Sequence, residues 1–252
     1  MPDTSAPTPP ILLRTLGWQA PLHWLMLGWC DFIRAPAIGL FYGGCFMLMG
    51  WALLWVFQQA PAYTLALSAG FLLMGPFLCL GLYRVSQRLE SGAEPGFADS
   101  LLAFQTRTGQ LAIFGFVLLV LEMLWGRATL VLFAVSFDGM PDFKGSLLAL
   151  LSTENLPFIA AWVAVGALFA ALIFSVSVVS IPMILHREAD AITAALTSLR
   201  LVATQTAVML AWGVLIALLV GLALLPWFVG LLVVGPVIGH ASWHAYRDAV
   251  ED

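Results

Sequence analysis

Glu122 and a group of histidines are the residues whose types and spacing could do chemistry in this chain. His240 and His244 stand one helical turn apart and so share a helix face; with His186 from a separate segment they would offer a metal ion three imidazole nitrogens. That reading requires the three rings to converge. The competing reading places all four histidines, His23 included, at one membrane margin, where rings beside Tyr246 and Arg247 anchor helix ends at the headgroups. Haem needs axial histidines from facing helices, and no mid-span histidine has such a partner, so no cofactor is expected.

Glu122 lies inside an apolar run, where an ionisable group is costly and has a partner or a task. Arg127 follows five residues on. If the span ends there, the two meet at the outer interface. If the helix runs on to Val135, Glu122 sits deeper and becomes an ion or proton site candidate. Ser175, Ser177, Ser180, Thr204 and Gln205 are polar at span depth and read as hydrogen bonds across helices. No nucleophile elbow, phosphate loop, zinc-protease motif or dinucleotide fingerprint is present, so no catalytic residue is assigned and a non-enzymatic protein is expected. Cys30, Cys45 and Cys79 are odd in number and widely spaced, and they read as small hydrophobes.

The elements that hold these residues follow from composition. Of 252 residues, 62% are hydrophobic and 10% charged, against about 45–50% and about 25% in an average soluble domain. A water-soluble globule is excluded. The net charge of −4 and the single lysine, Lys144, leave no basic stripe for nucleic acid. A spanning helix needs about 20 apolar residues, because no backbone polar group can be left unpaired in lipid. Six stretches qualify: 36–57, 63–83, 110–133, 156–186, 202–224 and 228–246. The third is the least sharply bounded, since apolar residues continue past Arg127.

Arginine placement gives direction. With the N-terminus inside, the inner segments hold Arg14, Arg34, Arg84, Arg88, Arg107, Arg187, Arg200 and Arg247, and the outer side holds only Arg127 and Lys144. Such an excess marks the cytoplasmic side and puts both termini there. Trp212 falls near mid-span and is expected to face another helix.

Each inward-starting span is preceded by a segment too short or too polar to cross. Phe97, Leu101, Phe104 and Thr108 follow 4-3-4 spacing, and so do Ile192, Leu196, Leu199 and Ala203; residues 21–34 are similar in length, with Trp24, Trp29 and Phe32 as anchors. These read as helices lying in the inner interface. The expectation is an all-α, polytopic membrane protein: a disordered tail over 1–20, then one domain over 21–252. Its six transmembrane helices form three hairpins, in units of about 21–94, 95–186 and 187–248, each preceded by an inner-face amphipathic helix. Gly39–Gly43 and Gly235–Gly239 have the spacing that lets helix backbones approach closely. Pro76, Pro182 and Pro236 are expected to kink their helices.

The closing segment Pro236-Val-Ile-Gly-His-Ala-Ser-Trp-His-Ala-Tyr-Arg-Asp248 and the stretch Ser180-Ile-Pro-Met-Ile-Leu185, followed by Asp190 to Arg200, resemble a bacterial family of predicted integral membrane proteins of unknown function. The resemblance runs over about 97–248 and implies a multi-pass protein of the bacterial inner membrane. Some members carry an automatic label likening them to subunit I of cytochrome c oxidase, a protein with buried haem-ligating histidines that this chain lacks. The partners expected are the lipid bilayer and other integral membrane proteins, with an accessory place beside a respiratory complex compatible by analogy. The alternative is a small transporter or channel using Glu122.

Overall fold

The computed structural model describes residues 11–59, 64–136, 155–187 and 189–251. They form α1 (Ala20–Arg34), α2 (Pro36–Gln59), α3 (Thr64–Glu90), α4 (Phe97–Leu101), a 3-10 turn (Ala103–Arg107), α5 (Thr108–Ser136), α6 (Leu156–Ser177), α7 (Ser180–Arg187), α8 (Ala191–Thr204), α9 (Thr206–Leu224) and α10 (Leu231–Ala249). The all-α expectation holds among these residues. An isolated bridge between Leu13 and Val250 is their one extended pairing.

Among the described residues, four helices are long and apolar enough to cross a membrane: α2, α5, α6 continued by α7, and α9. The expected six reduce to four by this measure. The sixth stretch, in α10, is diluted by His240, His244, Arg247 and Asp248. These polar residues are sheltered by protein, since α10 is packed by α1, α2 and α3. The second stretch lies in α3, which is 27 residues long.

The expected fourth span, 156–186, is interrupted at Val178 and Val179. Pro182 has no N–H to offer the Val178 carbonyl four residues back, and its ring crowds that carbonyl, so the helix is broken there. The third span, in contrast, runs unbroken for 29 residues, about 43 Å at the usual rise.

The segments expected in the inner interface carry one pattern three times. In α1 the exposed stripe is Leu22, Met26, Trp29 and Ile33; around α4 it is Phe97, Leu101 and Phe104; in α8 it is Ile192, Leu196 and Leu199. Each segment thus turns a stripe of large apolar side chains away from the protein. The inward contacts are close. A Cβ on Gly28 would lie 2.5 Å from the Val237 carbonyl oxygen of α10, the Ser100 hydroxyl donates to Gly81 O of α3 at 3.3 Å, and the Ser198 hydroxyl donates to Ser175 O of α6 at 2.7 Å. Two expected details change. Trp24 and Phe32 are buried rather than anchoring, leaving Trp29 exposed, and residues 97–108 are not one helix but α4 followed by the 3-10 turn.

We call the end carrying α1, α4 and α8 the inner end. The glycine spacing read from sequence works as expected where α2 meets α10. A Cβ at Gly43 would come within 2.1 Å of the Leu232 carbonyl oxygen, and one at Gly235 within 2.7 Å of the Phe46 ring. Gly50 lies against the ring of Phe228, which sits with Trp227 in the left-handed region, φ 65° and 52°. Such a conformation costs about 1–3 kcal/mol per non-glycine residue. Trp51 helps hold that turn, donating from Nε1 to Trp227 O at 2.8 Å.

From Ile11 on, the segment assigned to the disordered tail is hydrogen-bonded to the inner end. Arg14 N donates to Ala249 O and Glu251 N to Leu12 O, both at 3.0 Å. Leu16 N donates to Gln205 Oε1 at 2.6 Å. Backbone groups next to a helix end find partners there, which residue type does not reveal. Residues 1–10, 60–63 and 137–154, which include Lys144, lie outside the described residues.

Candidate functional site

The polar side chains gather at the inner ends of the helices, around the second half of α10. His244 donates from Nε2 to Asp31 Oδ2 of α1 at 2.8 Å. His240 Nδ1 lies 2.8 Å from the Ser86 hydroxyl of α3, and His186 Nδ1 lies 2.9 Å from the Tyr246 hydroxyl. Trp243 donates from Nε1 to Glu90 Oε2 at 2.9 Å, and Arg247 Nε donates to Glu90 Oε1 at 3.0 Å. Trp24 donates to Asp248 Oδ2 at 2.9 Å. Arg88 and Asp99 pair between α3 and α4.

These bonds follow from periodicity. Asp31 is three residues after Gly28 and seven after Trp24, so all three face α10. The core of the cluster is dry: Ser86 and His240 are fully buried and Asp31 is 5% exposed. Burial pushes the Asp31 carboxyl up, yet hydrogen bonds from His244 and Ser86 outweigh it and hold the group below the ordinary value of 3.8. A carboxylate so placed serves as an acceptor that ties α1 to α3 and α10.

The three histidines expected to meet at a metal are directed to different partners: His186 to Tyr246, His240 to Ser86 and His244 to Asp31. Among the described residues no three His, Cys, Asp or Glu side chains gather to hold an ion. His240, with Trp243 and Tyr246, is buried in protein rather than set at the headgroups. The reason is the depth of α10, which is wedged among α1, α2 and α3. Its Nε2 has no hydrogen-bond partner among the described residues. Trp212 meets Trp24 edge to face, with ring centroids 5.6 Å apart, as its mid-span position implied.

Glu122 stands apart from this cluster, at the midpoint of α5. It is 5% exposed, on the same face as buried Leu111, Phe114, Leu118 and Thr129. Its Oε2 and the Thr129 hydroxyl have no partner among the described residues. Arg127 is exposed on another face, because five residues turn an α-helix well past one revolution. The expected Glu122–Arg127 pair does not form among the described residues, and α5 runs to Ser136, one residue beyond Val135. The Phe133–Phe158 contact and the Trp125–Gly166 approach fix how α5 lies on α6.

Sequence reading missed Asp31, Ser86 and Glu90. The signal for Asp31 was present: an acidic residue on the Trp24–Gly28 face of an otherwise apolar helix needs a partner. Ser86 and Glu90 are one turn apart on α3, a face recognisable only once α10 is in place.

Two cavities lie elsewhere, lined by none of Asp31, Ser86, His240 or His244. One is an apolar groove of about 400 Å³ bordered by Leu22, Met26, Trp29, Leu219 and Val233. The other, of about 500 Å³, has a mixed polar and apolar lining that includes Arg14 and Arg200.

Apolar helices of spanning length, together with a stripe of exposed apolar residues at one end, define an integral membrane protein with several apolar helices. Residues 64–186 match a family model described as a predicted integral membrane protein, DUF2189, the kind of family that the sequence resemblance named. The match takes in the Ser180–Leu185 stretch and stops short of the closing Pro236–Asp248 segment. No curated protein and no solved structure matches the chain.

Proposed function

We propose that this chain is a non-enzymatic membrane scaffold, an accessory or assembly subunit that packs against other integral membrane proteins. One observation carries the reading: the polar side chains around the second half of α10 bond mainly to one another, while three of the four spanning helices are sparsely packed. Of the most apolar 18-residue windows, α2 and α5 bury 17% and α9 buries 22%, against 50% for α6 with α7. Exposed Phe116, Leu130, Val131 and Val135 line α5. Because apolar faces gain little from meeting each other in lipid, helices held together at one end remain open to a partner along the other. A respiratory complex is one partner of suitable kind, by analogy only.

On the same reading α3 and α10 complete six crossings in three hairpins, with both termini on the cytoplasmic side of a bacterial inner membrane. The exposed stripes recurring in α1, α4 and α8 support three related units, and the arginine asymmetry supports the direction. The test is crosslinking in native membranes from a photoreactive residue at Val131, followed by purification in mild detergent. A stoichiometric membrane-protein partner is expected. Repeated recovery of the chain alone, crosslinked only to lipid, contradicts the scaffold.

Glu122 supports a second reading as a small transporter or channel, since a buried carboxyl with an unpartnered oxygen is costly within a span. Ion or proton flux in liposomes that disappears with Glu122→Gln would establish it, and equal, background flux in both forms would dismiss it.

A further inference from the structure

The cavity at the start of α9, of mixed polar and apolar lining, offers donors suited to a phosphate group. It is an open depression of about 500 Å³ lined by Leu13 to Leu16, Trp18, Arg200 and Thr204 to Val208. Two arginines, Arg14 and Arg200, both exposed, border it. Neither forms an ion pair with a carboxylate among the described residues; the one contact shown is Arg200 Nη1 donating to Ile11 O at 3.4 Å. A pair of arginines around one concavity repel each other, and an anion between them removes that cost.

The local backbone adds to the same effect. Thr206, Ala207 and Val208 are the first residues of α9, whose N–H groups have no carbonyl one turn back within the helix. Gln205, at the capping position, makes no side-chain cap. Its amide is used elsewhere: Oε1 accepts from Leu16 N and Nε2 donates to Arg14 O. That pinning holds the segment carrying Arg14 over the cavity. The Thr204 and Thr206 hydroxyls donate back to Arg200 O and Val202 O at 2.8 and 2.9 Å. The donors left include the two guanidiniums, the Thr15 hydroxyl, the Trp18 indole and the helix start.

We propose that this cavity binds a phosphate-bearing anion, the phosphodiester of an anionic lipid headgroup or a soluble phosphate ester. Its position suits the first source. The site opens where a spanning helix begins, Trp18 at its rim is 76% exposed, and the apolar stripe of α8 lies on the adjoining helix. Tryptophan at such a level sits with the headgroups.

Native mass spectrometry of the full-length protein in mild detergent tests the proposal, with short-chain phosphatidylglycerol, phosphatidylcholine and inorganic phosphate as probes. The wild type is expected to retain phosphatidylglycerol at least about tenfold more tightly than Arg14→Gln/Arg200→Gln, with binding that weakens as salt is raised. Phosphatidylglycerol binding without phosphate binding identifies the headgroup; arginine-dependent binding of both identifies a soluble ester. Equal retention by wild type and variant, or phosphatidylcholine held as tightly as phosphatidylglycerol, overturns the proposal. Should the double glutamine variant fold poorly, the wild type's salt dependence and lipid preference decide alone: retention indifferent to both refutes the site.

Discussion

The inner and outer halves of the helices are built on different principles. At the inner end, α10 is enclosed, and Pro236, Val237, Gly239, His240, Ala241, Trp243, Ala245, Tyr246 and Ala249 are all buried. Along α2, four of the five buried residues, Ile38, Gly39, Tyr42 and Gly43, fall in the first eight positions. The fifth, Gly50, is reached by the ring of Phe228. The inner half is tied by directional bonds, and the outer half keeps large apolar side chains for its surroundings. In lipid that division has a physical basis: burying apolar area gains little there, so order must come from polar pairs and close backbone contacts.

Removing His244 should have the largest effect. His244→Ala leaves the buried Asp31 carboxylate without its main partner, a change worth about 3–5 kcal/mol. A large fall in the thermal midpoint in detergent is expected, and an unchanged midpoint would refute the clamp. The same pair predicts a pH dependence. Asp31 is held below its ordinary value in the folded chain, so its contribution is complete above about 3.8 and is lost as pH falls through the folded value. Thermal midpoints measured downward from pH 6 should drop in the wild type and drop less in Asp31→Asn.

Neighbouring glycines sharpen the contrast at smaller cost. Gly43→Ala forces a methyl against the backbone of Leu232 and should destabilise by about 1–3 kcal/mol. Gly44 has nothing within 4 Å of its Cβ position, and Gly44→Ala should stabilise by up to about 1 kcal/mol through helix propensity. Chemical denaturation of the two variants side by side reads the sign directly.

Asp190 caps α8, accepting from Ile192 N at 3.1 Å and Thr193 N at 2.9 Å. Asp190→Ala should cost about 1 kcal/mol. Least of all, Val131→Ser on the exposed face of α5 should change stability by under about 0.5 kcal/mol. A Val131 effect as large as that of Gly43 would show that the outer half is packed after all.

Much of this was legible in the sequence because the signals are local. The 4-3-4 stripes needed only helical spacing, and the close backbone approach at Gly43 needed only small residues one turn apart. What depended on neighbours was not legible. His240 and His244 share a face, as their spacing required, yet they serve different helices because α10 lies between α1 and α3. The arginines and the closing motif offered no sign that the segment from Ile11 folds back onto Val250, since backbone hydrogen bonds leave little trace in residue type. The depth of Glu122 depended on whether α5 continued past Arg127, an alternative that composition left open.

Spin labels on one chain measure the difference between the two halves most directly. With the native cysteines replaced, one pair is placed at the inner end, at Ile33 and Leu196, and another toward the outer end, at Trp55 and Val131. Pulsed dipolar distances in nanodiscs, without a partner protein, should give a narrow distribution for the inner pair and a clearly broader one for the outer pair. Equal widths, or a broader inner pair, would contradict a molecule clamped at one end and open along the other.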